Sequence, residues 1–206
     1  ASFPLPFSLC GASVEFNGDP APLYNASPTQ VSAQIPTSVV AGSPLQVVAS
    51  RDHIRSAAAS IPKELNTASA PALYSYSLDD KQPRAFVVHA DQSMNGPPAS
   101  GKRPIRPGEA ATLFANSLGP TLPAVPDGHS APDDPPALLA TPVEVYVNGE
   151  SQPILFAGLA PTLSGFYQIN FNLTASTPIK EENANVIWIR VLDAESPRLL
   201  LSLAGN

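Results

Sequence analysis

Residues 141–173 read Thr-Pro-Val-Glu-Val-Tyr-Val-Asn-Gly-Glu-Ser-Gln-Pro-Ile-Leu-Phe-Ala-Gly-Leu-Ala-Pro-Thr-Leu-Ser-Gly-Phe-Tyr-Gln-Ile-Asn-Phe-Asn-Leu. Val143, Val145 and Val147 alternate with Glu144 and Tyr146, the period-2 pattern of a strand with one buried face. Asn148-Gly149 follows. These two residues readily adopt the positive φ that a type I′ turn needs at both central positions, so a hairpin is predicted. Tyr167, Ile169, Phe171 and Leu173 alternate with Gln168, Asn170 and Asn172 and predict a second half-buried strand. The stretch therefore reads strand, tight turn, short strand, corner, strand.

The same plan occurs near the start. Val14-Glu15-Phe16-Asn17-Gly18 precedes Pro22-Leu23-Tyr24-Asn25-Ala26-Ser27-Pro28 and then Gln30 to Pro36. Asn17 and Asn148 lie 131 positions apart (148 − 17), as do Pro22 and Pro153, and Ala26 and Ala157. Pro161 lies 133 beyond Pro28 and Gln168 lies 138 beyond Gln30, so the second copy carries an insertion over Thr162–Tyr167. This is the signature of an internal duplication of one β-module.

The rest of the chain fits an all-β protein. Proline is abundant at 25 of 206 residues, and proline breaks helices while sitting well at turns, strand starts and edges. No apolar run keeps a helical period over three turns; the nearest, Ser56 to Leu65, is cut by Pro62. Strands are predicted at Leu45–Ser50, Ile54–Ile61, Ala72–Ser77 and Arg84–Ala90, and at Asn185–Leu192 and Arg198–Leu203. Glu109–Leu118 has helical propensity, but Pro107-Gly108 and Gly119-Pro120 bracket it, and it is read as a strand. Gly119–Leu139 is a long proline-rich loop of the kind that is functional or covered by a partner. The expected division is 1–66, a first Ig-like module that is incomplete and edge-exposed, and 67–206, a second module with an added N-terminal hairpin.

Only 14% of residues are charged and the net charge is −6. Nucleic acid is not an expected partner, because that role needs concentrated Lys and Arg. No apolar run reaches the roughly 18 residues of a membrane span, and no signal-peptide pattern is read. A single cysteine, Cys10, excludes an intrachain disulfide and is expected to be a small buried residue.

No catalytic motif, phosphate-cradling glycine loop, cofactor site or metal site is found. His53 falls in a turn, His89 at a strand end and His129 in the long loop. Asp79-Asp80 and Asp133-Asp134 lack calcium-loop spacing and read as solvated turn residues. Lys102, Arg103 and Arg106 form the one basic cluster, a solvated loop. Asn25-Ala26-Ser27 and Asn172-Leu173-Thr174 match the glycosylation sequon. Tyr24, Tyr74, Tyr76, Tyr146, Tyr167, Phe156, Phe166 and Trp188 are expected to pack the core for the most part. Tyr146 alternates outward and is the candidate contact residue.

Three pieces resemble a known family: residues 9–36, 107–123 and 143–173. They carry Val-Glu-Phe-Asn-Gly-Asp-Pro-Ala-Pro-Leu-Tyr-Asn-Ala-Ser-Pro-Thr-Gln-Val, Arg-Pro-Gly-Glu-Ala-Ala-Thr-Leu-Phe-Ala-Asn-Ser-Leu-Gly-Pro, and Leu-Phe-Ala-Gly-Leu-Ala-Pro with Tyr-Gln-Ile-Asn. The chain resembles an uncharacterised C-terminal domain of large exported acidobacterial proteins, and its modules resemble the IPT/TIG variety of Ig-like sandwich. The resemblance implies two such sandwiches in tandem, secreted and without catalytic residues. In that family a Pro-Gly strand like Arg106–Gly119 usually precedes the first hairpin; here none precedes Leu9.

A sandwich without that strand exposes a backbone edge and an apolar groove. The expected function is therefore structural: an exported, non-enzymatic protein at the cell surface that self-associates by strand addition into a fibre or surface layer. The alternative is a glycan- or protein-binding accessory domain of a larger secreted protein. Expected partners are copies of the chain or another extracellular β-protein, with glycans as a further ligand class. The Ser2–Leu9 arm is free to leave its own module, so Phe3, Leu5, Phe7 and Leu9, with Tyr146, are the candidate assembly residues.

Overall fold

The computed structural model of the chain describes residues 3–205; Ala1, Ser2 (the first residue of the expected arm) and Asn206 lie outside the described residues. It is all-β, with two short 3₁₀ turns at Lys63–Leu65 and Pro98–Ser100 and no α-helix among the described residues. Two compact units form. The first joins the chain up to Ala68 to residues 123–137 and 160–165; the second comprises Ser69–Leu122, Leu138–Leu159 and the chain from Phe166 onward. The proline-rich loop and the inserted loop thus belong to the first unit, although the second module's sequence surrounds them.

The first unit contains β1 (Ala12–Phe16), β2 (Asp19–Pro20), β3 (Leu23–Ala26), β4 (Val31–Ala33), β5 (Leu45–Arg51), β6 (Ile54–Arg55) and β7 (Ala59–Ile61). β2-β1-β5-β6 make one sheet, with β7 also on β5, and β3-β4 make the other. The strand expected over Ile54–Ile61 is two strands. Ser56 interrupts it by accepting the Ala49 N–H on its Oγ at 3.2 Å, so the chain bends between β6 and β7.

The second unit opens with β8 (Ala72–Leu73), β9 (Ser75–Ser77), β10 (Pro83–Ala85), β11 (Val87–His89), β12 (Ala110–Asn116), β13 (Thr121–Leu122) and β14 (Leu138–Leu139). It closes with β15 (Val143–Val147), β16 (Glu150–Gln152), β17 (Ile154–Leu159), β18 (Tyr167–Asn172), β19 (Val186–Val191), β20 (Ala194–Glu195) and β21 (Leu199–Leu200). Two sheets form a sandwich. One runs β16-β15-β19-β21-β10-β9, and the other β11-β12-β18-β17-β14-β13. The strands expected at 72–77 and 84–90 each change sheet midway, at Tyr74 and Phe86, where the Phe86 N–H bonds the Tyr74 carbonyl at 2.8 Å. β12 alternates buried and half-buried residues, so Glu109–Leu118 is a strand as read.

The duplication extends over seven strands, β1–β7 matching β15–β21. Both Asn-Gly turns have positive φ at both residues: 51° and 91° at Asn17-Gly18, 52° and 96° at Asn148-Gly149. Leu23↔Ala33 and Ile154↔Phe171 are equivalent pairs, and a register shift follows each, between Leu23 and Asn25 and between Ile154 and Phe156. Phe16↔Val47 and Val147↔Ile187 are likewise equivalent, as are Val47↔Ala59 and Ile187↔Leu199. The Asn side chain recurs too: Asn17 Oδ1 accepts the Gln46 N–H at 2.8 Å, and Asn148 Oδ1 accepts the Val186 N–H at 2.9 Å.

What differs is the core. In the second unit Val145, Val147, Ile169, Phe171, Ile187 and Ile189 are fully enclosed with β10–β12 residues such as Ala111, Leu113 and Ala115. In the first unit the buried cluster among the described residues is Val14, Ala21 and Leu23, with Leu9, Phe16, Val31, Ala33 and Val47 packed partly buried around them. Burial of apolar area is the main stabilising term, at roughly 25 cal/mol per Å², so the first unit holds less of it per strand.

Candidate functional site

Backbone direction defines the site. In the first unit the Ser27 N–H donates to the Gln30 carbonyl and the Gln34 N–H to the Pro22 carbonyl, both at 2.8 Å. These bonds flank the pairs Ala26↔Val31 and Leu23↔Ala33. In an antiparallel ladder, residues flanked in this way turn their own N–H and C=O away from the partner strand. Val31, Ala33 and, by continuation, Ile35 therefore aim their backbone groups away from β3. Among the described residues no other backbone group bonds them.

The second unit shows the same edge covered. There β18 carries β12 on its outer side in the register Ala111↔Phe171 and Leu113↔Ile169. The Leu173 N–H extends this by bonding the Glu109 carbonyl at 2.9 Å, and the Gly108 N–H bonds the Leu173 carbonyl at 2.6 Å. Phe171, Ile169 and Leu173 are the counterparts of Ala33, Val31 and Ile35. Leu173 is 0% exposed and Ile35 is 55% exposed. A second open edge is at Ser60 on β7, whose counterpart Leu200 is paired in parallel with Arg84 of β10.

The arm packs in its own unit. Leu5 is buried at 2% exposure, its N–H donating to the Gly128 carbonyl, and the Pro6 carbonyl accepts the Leu23 N–H, each at 2.8 Å. Leu9 is half-buried and bridges Ala12, whereas Phe3 and Phe7 are 39% and 47% exposed. Gln34 anchors both recruited loops: its Oε1 accepts the Gly128 N–H at 2.9 Å and the Ser164 hydroxyl at 3.2 Å. Cys10 was expected to be buried and is exposed. It occupies a tight turn beside Gly11 with φ of 50°, which turns its side chain outward.

Tyr146 is half-buried and belongs to a ladder on the outer face of β15 and β19. It stacks on its cross-strand neighbour Trp188 with centroids 5.3 Å apart, while the Arg190 guanidinium lies 5.2 Å above it. Arg190 donates to Glu144 at 2.7 Å and to the Tyr146 hydroxyl at 2.6 Å. Its guanidinium holds the Glu144 carboxyl below the usual range. Arg198 covers Trp188 at 4.5 Å. The expectation that the aromatic side chains mostly face the core fails at Trp188, which lies on this outer face and is buried by the ladder itself.

The ionisable groups serve structure. His89 is buried, with Nδ1 3.0 Å from Glu109 Oε1 and Nε2 3.1 Å from the Arg103 carbonyl. Arg103, expected in a solvated loop, is ion-paired to the same carboxylate at 2.6 Å. Burial pushes the Glu109 carboxyl up, but Arg103, the Arg106 N–H and His89 outweigh it, and it lies below its ordinary value. Asp80, expected to be a free turn residue, grips the buried Arg84 through two bonds of 3.1 and 2.8 Å. His53 and His129 are exposed in loops of the first unit. Among the described residues no cluster of His, Cys, Asp and Glu is arranged to hold a metal ion, and no helix is long and apolar enough to cross a membrane.

No family model and no curated protein matches the chain. Among solved structures, domains 4 and 5 of the S-layer protein SbsC align over 96% of this chain and 74% of that one, at 12% identity and a TM-score of 0.25. A score of that size does not establish a shared fold.

Proposed function

We propose that the chain is an exported, non-enzymatic structural protein that assembles at the cell surface by strand addition to the open edge of its first unit. One observation carries the reading: Val31, Ala33 and Ile35 present backbone groups outward at the positions where the second unit's own copy is paired with β12. An unpaired edge is a template for another strand. Asp127 of the proline-rich loop accepts the Thr37 N–H just beyond this edge at 3.0 Å, but among the described residues neither the recruited loops nor the arm bonds the backbone of Val31, Ala33 or Ile35. The resemblance to an exported domain family supports the location. The ion pairs support a structural role: Arg55–Glu15 and Arg190–Glu144 bridge strands, and Arg103–Glu109–His89 ties a loop to β11.

Sedimentation velocity over a concentration series, with electron microscopy of the heaviest fractions, tests this. The wild-type chain is expected to form higher-order species. Ala33→Pro, which removes an outward N–H that the β3 ladder does not use, is expected to remain a folded monomer. A wild-type chain that stays monomeric at every concentration, or a polymer untouched by Ala33→Pro, overturns the proposal.

A further inference from the structure

The reading above leaves the added strand unidentified, and resting on it, we infer that the donor is the Phe3–Leu9 arm of a second copy of this chain. In the second unit β12 sets the small Ala111 opposite the large Phe171, and Leu113 opposite Ile169. The first unit has the reverse need, because Ala33 stands where Phe171 does and Val31 where Ile169 does. On the other sheet of the unit, Ala49 of β5 and Ala59 of β7 are exposed, where their counterparts Ile189 and Leu199 are buried. A donor strand must therefore bring bulky inward side chains.

Phe3-Pro4-Leu5-Pro6-Phe7-Ser8-Leu9 supplies them at every second position. The register of β12 on β18 places Phe3 opposite Ile35, Leu5 opposite Ala33 and Phe7 opposite Val31. It also makes the residues that point inward the ones whose backbone meets the acceptor, as the Glu109 carbonyl does in accepting the Leu173 N–H. Pro4 and Pro6 then fall at outward positions, where a missing N–H costs no ladder bond and blocks addition of a further strand. The arm is suited to exchange. Its two phenylalanines are part-exposed at home, at 39% and 47%, and Cys10 and Gly11, both in the left-handed region, form a turn at its base. Donor and acceptor surfaces differ, so the contact is heterologous and repeats from copy to copy, as an open filament unless its rotation closes a ring.

The test adds the octapeptide of residues 2–9 to the full chain and follows backbone amide exchange. Exchange at Val31, Ala33 and Ile35 is expected to slow by about tenfold or more. The same peptide carrying Leu5→Asp and Phe7→Asp is expected to change nothing. Slowing confined to Leu23, the arm's home partner, or no slowing at all, overturns the assignment. So does equal protection by the Asp-substituted peptide. The outcome separates from that of the assembly reading. Polymers that the peptide fails to protect or dissolve sink the donor while assembly stands; edge protection in a chain that never polymerises sinks assembly while the donor stands.

Discussion

The duplication offers one hydrogen bond in two settings, and removing it from each copy measures what enclosure contributes. Ser196 Oγ accepts the Ile189 N–H at 3.0 Å and donates to the Pro197 carbonyl at 3.1 Å. Ser56 Oγ accepts the Ala49 N–H at 3.2 Å and donates to the Ala57 carbonyl at 2.8 Å. Ile189 is 0% and Ser196 3% exposed, whereas Ala49 and Ser56 are open to solvent. Ser196→Ala strands a buried N–H that water does not reach, which costs about 1–3 kcal/mol, and it forfeits a second bond worth about 1 kcal/mol. A loss of about 2–4 kcal/mol follows. Ser56→Ala exposes the same N–H to water, and a loss within about 0.5 kcal/mol follows. Urea unfolding reads both: for a slope near 2 kcal/mol/M, Ser196→Ala lowers the midpoint of the second unit by about 1–2 M. Equal effects in the two copies would refute the claim that β10–β12 enclose one module and leave its twin open.

Three further predictions concern the arm, a loop and an acid. Leu5→Ala should destabilise the first unit by about 2–5 kcal/mol in thermal or urea unfolding, while Phe7→Ala, half-exposed at home, should cost less than about 0.5 kcal/mol in the monomer. Gly165→Ala should disorder the inserted loop, because an added Cβ would lie 2.3 Å from the Tyr24 hydroxyl at a φ of +69°; loss of the Tyr24–Ser164 bond in NMR spectra checks it. Gly18→Ala, which meets nothing within 4 Å, should pay only the cost of its positive φ. Asp91 should titrate at about 2, held down by the Ser93 hydroxyl and N–H with Arg103 beside them. Its folded value lies below the unfolded one, so its contribution is present above about pH 4 and is lost as the pH falls through about 2. Ser93→Ala should move the carbon-detected NMR midpoint upward.

Much of the fold was legible because backbone constraints wrote themselves into side chains. Asn17-Gly18 and Asn148-Gly149 name their turns, and the offsets 131 and 138 align β1–β4 with β15–β18 as the registers do. The match of β5 to β19 was not legible. Leu-Gln-Val-Val-Ala-Ser-Arg and Val-Ile-Trp-Ile-Arg-Val share only a period, and the offset there has grown to 140, from Val47 and Ile187. The sheet changes at Tyr74 and Phe86 left no proline or glycine at the crossing. The 123–137 and 160–165 segments were visible as a long loop and an insertion, but the unit they complete is decided by Gly128, Ser164 and Gln34 meeting far apart in sequence. At the candidate site, the expectation of an open edge was readable from the family resemblance, in which a Pro-Gly strand usually precedes the first hairpin. Which backbone groups it leaves open was not, because the ladder's phase is a property of hydrogen bonds. Cys10 misled for a related reason: a left-handed turn, unmarked before Gly11, decides its exposure.

Backbone amide exchange of the labelled chain, at a concentration where it sediments as a monomer, compares each position with its twin. The account predicts protected amides at Ile169, Phe171 and Leu173, and exchange faster by at least about a hundredfold at Val31, Ala33 and Ile35. Protection of Val31 and Ala33 in the monomer equal to that of Ile169 and Phe171 would contradict it.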